Sequence, residues 1–155
     1  MGGEFANLRS TFSSLIAPHI AEQIPDTAFG ISTFDDFLCE GHGADGDGPF
    51  VLRQRVTMNV IAAQAALSVL PLRGGGDSDI AQSGYESMFQ VATGRGVAGC
   101  GVGLPPFDPR VGSGEGEIGG VGYREGALPV LVHVTNAPPH DQADYGDFAA
   151  SRLDA

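Results

Sequence analysis

The most apolar run in the chain is Leu128-Pro-Val-Leu-Val-His-Val-Thr135, which is β-branched at Val130, Val132, Val134 and Thr135 and interrupted only by His133. A run with no polar face predicts a strand covered on both sides, as in a parallel sheet flanked by helices. It stops at Asn136 and the pair Pro138-Pro139. In open α/β sheets the loops at the carboxyl ends of strands carry the ligand site, so the search for a site starts at Asn136.

Upstream, Phe5, Leu8, Phe12, Leu15, Ile16 and Ile20 recur at three- and four-residue steps and predict a helix with one apolar stripe, which Pro18 kinks or ends. Residues 27–36 alternate, with Phe29 and Ile31 on one side and Ala28, Gly30 and Ser32 on the other. They predict a strand with small residues where another element packs closely. A short strand over 49–56 and an alanine-rich helix over 58–70 follow. A further helix carries Tyr85, Met88, Phe89 and Ala92 as its buried stripe, and Tyr145, Phe148, Ala149 and Leu153 mark a last partial helix. Residues 94–126 form a long glycine-rich insertion without periodicity. Loops of that length are usually functional or disordered, and its middle, 112–120, is expected to be disordered.

Composition narrows the class. The chain has 155 residues, enough for one domain with its own core. Its formal net charge of −11, with eight arginines and no lysine, argues against nucleic acid and anionic membranes as partners. No apolar stretch approaches the roughly 18 residues of a membrane span, and no signal-peptide pattern opens the chain. Cys39 and Cys100 lie in glycine-rich loops and could pair in an oxidising compartment, but two cysteines do not define a disulfide framework.

Local chemistry is sparse. Asp45-Gly-Asp-Gly48 resembles half a calcium loop, yet Pro49 and Val56 stand where further ligands are needed, which favours a plain loop. Arg73-Gly-Gly-Gly-Asp-Ser78 lacks the lysine and spacing of a phosphate-binding loop and is read as a turn. His133, His140, Asp141 and Asp144 invite a zinc reading, against which His133 is more simply a satisfied core histidine. Asp35-Asp36 would point to opposite faces of a strand, which favours a capping or solvated role. No Gly-x-Ser-x-Gly occurs, and no cysteine has a plausible histidine at hand, so enzyme activity is unsupported.

Three segments together resemble the von Willebrand factor A-type domain, particularly the bacterial branch that looks like the integrin β-subunit ligand-binding domain. They are Met1-Gly-Gly-Glu4 and Asn7-Leu-Arg-Ser10 followed by residues 25–37; Gly74-Gly-Gly-Asp-Ser-Asp79 through Glu86-Ser-Met-Phe-Gln-Val-Ala-Thr-Gly94; and residues 126–140. The resemblance implies an incomplete doubly wound, mainly parallel sheet flanked by helices, in one truncated domain over residues 1–155. Domains of this family gather Mg²⁺ or Mn²⁺ from three loops, and the metal accepts a carboxylate from a protein partner. The first loop, Asp-x-Ser/Thr-x-Ser, would precede Met1, so it and its strand are expected to be missing, as are the last strands beyond Ala155. In the second loop the pattern Asp-x-Pro-Glu is matched by Asp79, Ile80, Ala81 and Gln82, and in the third Thr-Asp is matched by Thr135-Asn136. Both surviving acidic positions are thus amides, which ligate without contributing charge.

The resemblance therefore implies a protein-interaction or adhesion module with a degenerate cation site. Asp79, Gln82 and Asn136 would line it, with Ser78 beside them, and either no cofactor or weakly held Mg²⁺ or Mn²⁺ is expected. The partner would be a protein, engaged through an acidic group if metal is bound, and the intact parent would be extracellular or on the cell surface. The alternative is a structural remnant that binds no metal and folds by association, including homo-association through exposed sheet edges. A hydrolase with a His/Asp metal centre is the third class.

Overall fold

The computed structural model describes residues 2–38, 41–70, 80–99 and 101–140. Along them run helix α1 (Gly2–Thr11), a π-helical turn (Phe12–Ile16), α2 (Ala17–Gln23), strands β1 (Phe29–Thr33) and β2 (Val51–Thr57), helices α3 (Val60–Ser68) and α4 (Gly84–Thr93), and strands β3 (Val97–Gly99) and β4 (Val102–Leu104). The class is mixed α and β. The sheets are two antiparallel pairs, β1–β2 and β3–β4, and the parallel doubly wound sheet is not formed among the described residues.

The first helix is not broken at Pro18 but widened before it. Gln64 of α3 inserts its carboxamide into the turn: its Oε1 accepts from Ser13 N at 3.1 Å and its Nε2 donates to Arg9 O at 2.9 Å. These are the two groups an α-helix would join to each other, and a side chain inserted there opens the ladder into a π-turn. The extra residue rotates the following face. Ile16 and Ala17 therefore turn inward while Leu15 stays 62% exposed and Ile20 lies at the surface. Phe12, Ala17, Ala63, Leu67 and Leu70 form the core, with Phe5, Leu8, Phe29 and Ile31 against it. Arg9 donates to the carbonyls of Leu67 and Leu70, covering the open C-terminal end of α3. At the other end Asn59 caps it, its side chain accepting from Ala62 N.

Strand β1 pairs with β2 through a shifted register. A Cβ at Gly30 would stand 3.1 Å from a methyl of Val56 and 3.4 Å from the carbonyl oxygen of Gln54, so the expected close approach there is made by β2. Phe50, Val56, Val91 and Val121 form a second core cluster.

The glycine-rich segment after α4 is ordered, including the middle expected to be disordered. Gly94 closes α4 in the left-handed conformation (φ 62°). Beyond the β3–β4 hairpin, Val121 O accepts from Val56 N at 2.8 Å and Val56 O accepts from Glu115 N at 3.0 Å, so the segment lies along β2. Arg55, 6% exposed, is its hub: the guanidinium donates to Pro109 O and Gly116 O, each at 2.6 Å, and to the carbonyls of Val111 and Gly112. Its carbon Cζ also lies 5.3 Å from the centre of the Phe107 ring.

The largest departure from expectation is the apolar run. Residues 128–135 form no strand and are not covered: Leu128 is 87% and Val132 78% exposed, and Val130, Leu131 and Val134 also face solvent. Residues 128–134 make no backbone hydrogen bond among the described residues. A strand needs partners on its edges as well as apolar side chains, and none pairs with this run among the described residues. The partial helix expected over 141–155 lies outside the described residues, as do Cys39, Cys100 and the turn at 73–78.

Candidate functional site

Three strands of chain meet at the start of α4. Gln82 N donates to Pro138 O and His140 N donates to Gln82 O, both at 3.0 Å, which makes a parallel bridge between Gln82 and Pro139. Ser83 N donates to Asp35 O at 3.1 Å, tying in the end of the first strand region.

Below the bridge lies a buried polar cluster. Ser83 and Glu86 have the Ser-x-x-Glu spacing of a capping box, but the serine is used otherwise. Its Oγ donates to Asp36 Oδ1 at 2.6 Å instead of capping the helix. Asp36 Oδ1 also accepts from Phe37 N at 2.8 Å, and His140 Nε2 stands 2.9 Å from Asp36 Oδ2. The His42 ring meets His140 edge-on at 4.5 Å. Asp36 and Ser83 are fully buried and His140 nearly so, which corrects the capping or solvated role for Asp36, while Asp35 is half-buried. The serine hydroxyl is bonded to the carboxylate rather than to the imidazole, so this is not a nucleophile–base relay. It is a tie holding residues 137–140 to the head of α4.

The face of α4 that the apolar pattern assigned to the core is a wall of a cleft. Tyr85 is 39% exposed, and the buried positions are instead Glu86, Ser87, Gln90 and Val91. The polar ones are admitted because they are bonded. Gln90 Nε2 donates to Glu86 Oε1 at 2.7 Å and to Gly96 O at 3.2 Å, while Gly96 N donates to Gln90 Oε1 at 2.8 Å.

The cleft itself has a volume of about 180 Å³. Phe34, Met88, Pro138 and Pro139 give it apolar walls, and Gln82, Tyr85, His133 and Thr135 supply polar groups. His133 stacks on Phe34 with ring centres 4.8 Å apart and an 18° tilt. A Cβ on Gly84 would lie 3.3 Å from His133 Nε2, so the missing side chain at Gly84 lets the imidazole approach the start of the helix. Burial lowers the His133 pKa below its usual 6.5, which favours the neutral ring. A second cavity of about 300 Å³ lies between Phe50–Leu52 and Leu104–Phe107 and is almost wholly apolar.

Of the residues expected from sequence to line a cation site, Gln82 lines the cleft; Asn136 is exposed beside it, next to Thr135. Ser78 and Asp79 lie outside the described residues. The described donors are neutral, and Thr135 Oγ1 already accepts from Ala137 N at 3.0 Å. These groups alone do not suit Mg²⁺, a hard cation normally held through carboxylates. Among the described residues no group of three or more His, Cys, Asp or Glu could hold a metal. His133 and His140, paired in the zinc reading, make separate contacts with Phe34 and Asp36, and Asp141 and Asp144 lie outside the described residues. The half calcium loop is a turn in which Asp47 Oδ2 accepts from Ala44 N at 2.8 Å.

Sequence reading missed Asp36, Ser83 and His140 as one cluster. The Ser-x-x-Glu spacing was its only local signal. No helix among the described residues is long and apolar enough to cross a membrane. No family model, no curated protein and no solved structure matches the chain.

Proposed function

We propose that the chain is a protein-interaction module of the von Willebrand A type whose cation site is degenerate. The observation that supports this is the parallel bridge of Gln82 to Pro139, which brings the loop of Gln82 and the loop after Thr135 together at one cleft. Those are the second and third ligand loops of the resemblance, and they come from distant parts of the chain. With amides at Gln82 and Asn136, the carboxylate of Asp79 is the charge that the resemblance leaves to the second and third loops, and cation binding is weak or lost.

The test is a thermal melt in EDTA and then in millimolar Mg²⁺ or Mn²⁺. A cation at ten times its Kd would stabilise the fold by about 1.4 kcal/mol, a rise in Tm of roughly 3–6 °C. That rise should vanish in Asp79→Ala and shrink in Asn136→Ala. An unchanged Tm in both cations removes the cation from this reading.

A second reading, a remnant that folds by association and binds no metal, draws on the exposure of residues 128–134. It requires that Tm rise with protein concentration, which sedimentation and melting at several concentrations would reveal.

A further inference from the structure

We infer that residues 130–135 are an edge to which an extended, basic-flanked peptide adds as a β-strand, placing one aliphatic side chain in the cleft beside His133. The inference rests on the interaction-module reading but not on a cation.

The backbone comes first. Residues 130–134 make no backbone hydrogen bond among the described residues, and none of the five is a proline that would lack a donor. Such groups are what an added strand uses for affinity, while pockets for alternate side chains set its specificity. Over residues 132–135 the side chains follow a period of two, His133 and Thr135 lining the cleft and Val132 and Val134 exposed, while Leu131 before them also faces solvent. A strand laid along this edge therefore passes the cleft mouth. At about 180 Å³ the cleft is smaller than the roughly 300–1,000 Å³ of sites for small organic ligands. It has room for one side chain between Phe34, Met88 and Pro138.

Charge selects among possible strands. Residues 126–139 contain no Asp, Glu, Lys or Arg, while the chain as a whole carries −11. A second copy brings another −11, and an acidic peptide is likewise repelled. A peptide with an uncharged β-branched centre and lysine flanks is attracted at long range and meets no unpaired charge on contact.

The experiment is fluorescence anisotropy in EDTA, using a labelled peptide with the centre Val-Thr-Val-Leu-Val-Thr-Val and two lysines at each end. Saturable binding should weaken at least tenfold when the central Leu of the peptide becomes Gly. It should weaken comparably in the protein variant Val132→Pro, which removes one donor and blocks strand pairing. That substitution falls at an exposed position with no backbone bond, so an unchanged melt would show the fold is kept. Affinity should also fall as salt rises.

Absence of binding to the unaltered protein overturns the inference, as does equal binding by Val132→Pro. A concentration-dependent dimer that Val132→Pro abolishes, with no peptide bound, would assign the edge to a second copy instead. Because EDTA is present throughout, peptide binding fails or succeeds independently of the Mg²⁺ or Mn²⁺ melt.

Discussion

The segment from Pro105 to Arg124 and the run of residues 128–135 are neighbours in the chain, and they are held in opposite ways. The first is glycine-rich and aperiodic, yet its carbonyls converge on the Arg55 guanidinium and its backbone pairs with Val56. The second is β-branched and apolar, yet the backbone of residues 128–134 makes no hydrogen bond among the described residues and most of its side chains face water. Order here follows satisfied polar groups more than hydrophobic content. A buried cation with five fixed donors can organise a loop whose apolar anchors are few, chiefly Val121 and Tyr123. An apolar run, by contrast, becomes a strand only when another edge is present to receive its hydrogen bonds.

The largest test of this contrast is Arg55→Met. It strands several carbonyls that share one donor group, and should cost roughly 3 kcal/mol or more by urea unfolding. Arg55→Lys should recover less than half of that, because an ammonium lacks the planar fork. An unchanged urea midpoint in Arg55→Met would break the account of the glycine-rich segment.

A smaller effect is expected at the junction of the two regions with the cleft. His133 has its pKa lowered in the folded state, so the fold prefers the neutral ring. Protonation then costs stability, which is undiminished above the unfolded value near 6.5 and is lost as pH falls through it towards the lower folded value. His133→Gln should flatten that part of the stability profile between neutral and mildly acid pH, while leaving the rest of the acid limb in place. The effect is modest because the ring is only partly buried.

The smallest effect belongs to Val132→Thr. At an exposed, unpaired position it should change stability by no more than about 0.5 kcal/mol, whereas a buried central strand would lose several times that. A large loss would mean that the run is covered in solution.

Elements set by local patterning were legible in the sequence. Alternation at Phe29 and Ile31 predicts β1, and the alanine-rich stretch predicts α3, because each is specified by a few neighbouring residues. Elements set by distant partners were not. Nothing near Arg55 marks it as the anchor of a loop that begins some fifty residues later, and nothing near Gln90 indicates that Gly96 and Glu86 will satisfy its amide. Tyr85 and Met88 have the spacing of a core stripe and serve as a cleft wall, since periodicity locates a face but not what lies opposite it. Of the residues expected at the candidate site, Gln82 lines the cleft. The tie of Asp36 to Ser83 and His140 joins three separate regions, and no local pattern encodes it.

The carboxamide of Gln64 in the first helix has a consequence for the order in which the chain acquires its shape. The N-terminal helix is synthesised before α3 exists, and until then Arg9 O and Ser13 N have each other as partners. A regular α-helix over the same residues would carry its apolar stripe through Phe12, Leu15, Ile16 and Ile20. With Gln64 of α3 seated between Arg9 O and Ser13 N the turn is open, and Ala17 joins Ile16 on the inner side while Leu15 faces solvent. The register of the first element is thus tied to a residue some fifty positions later in the chain.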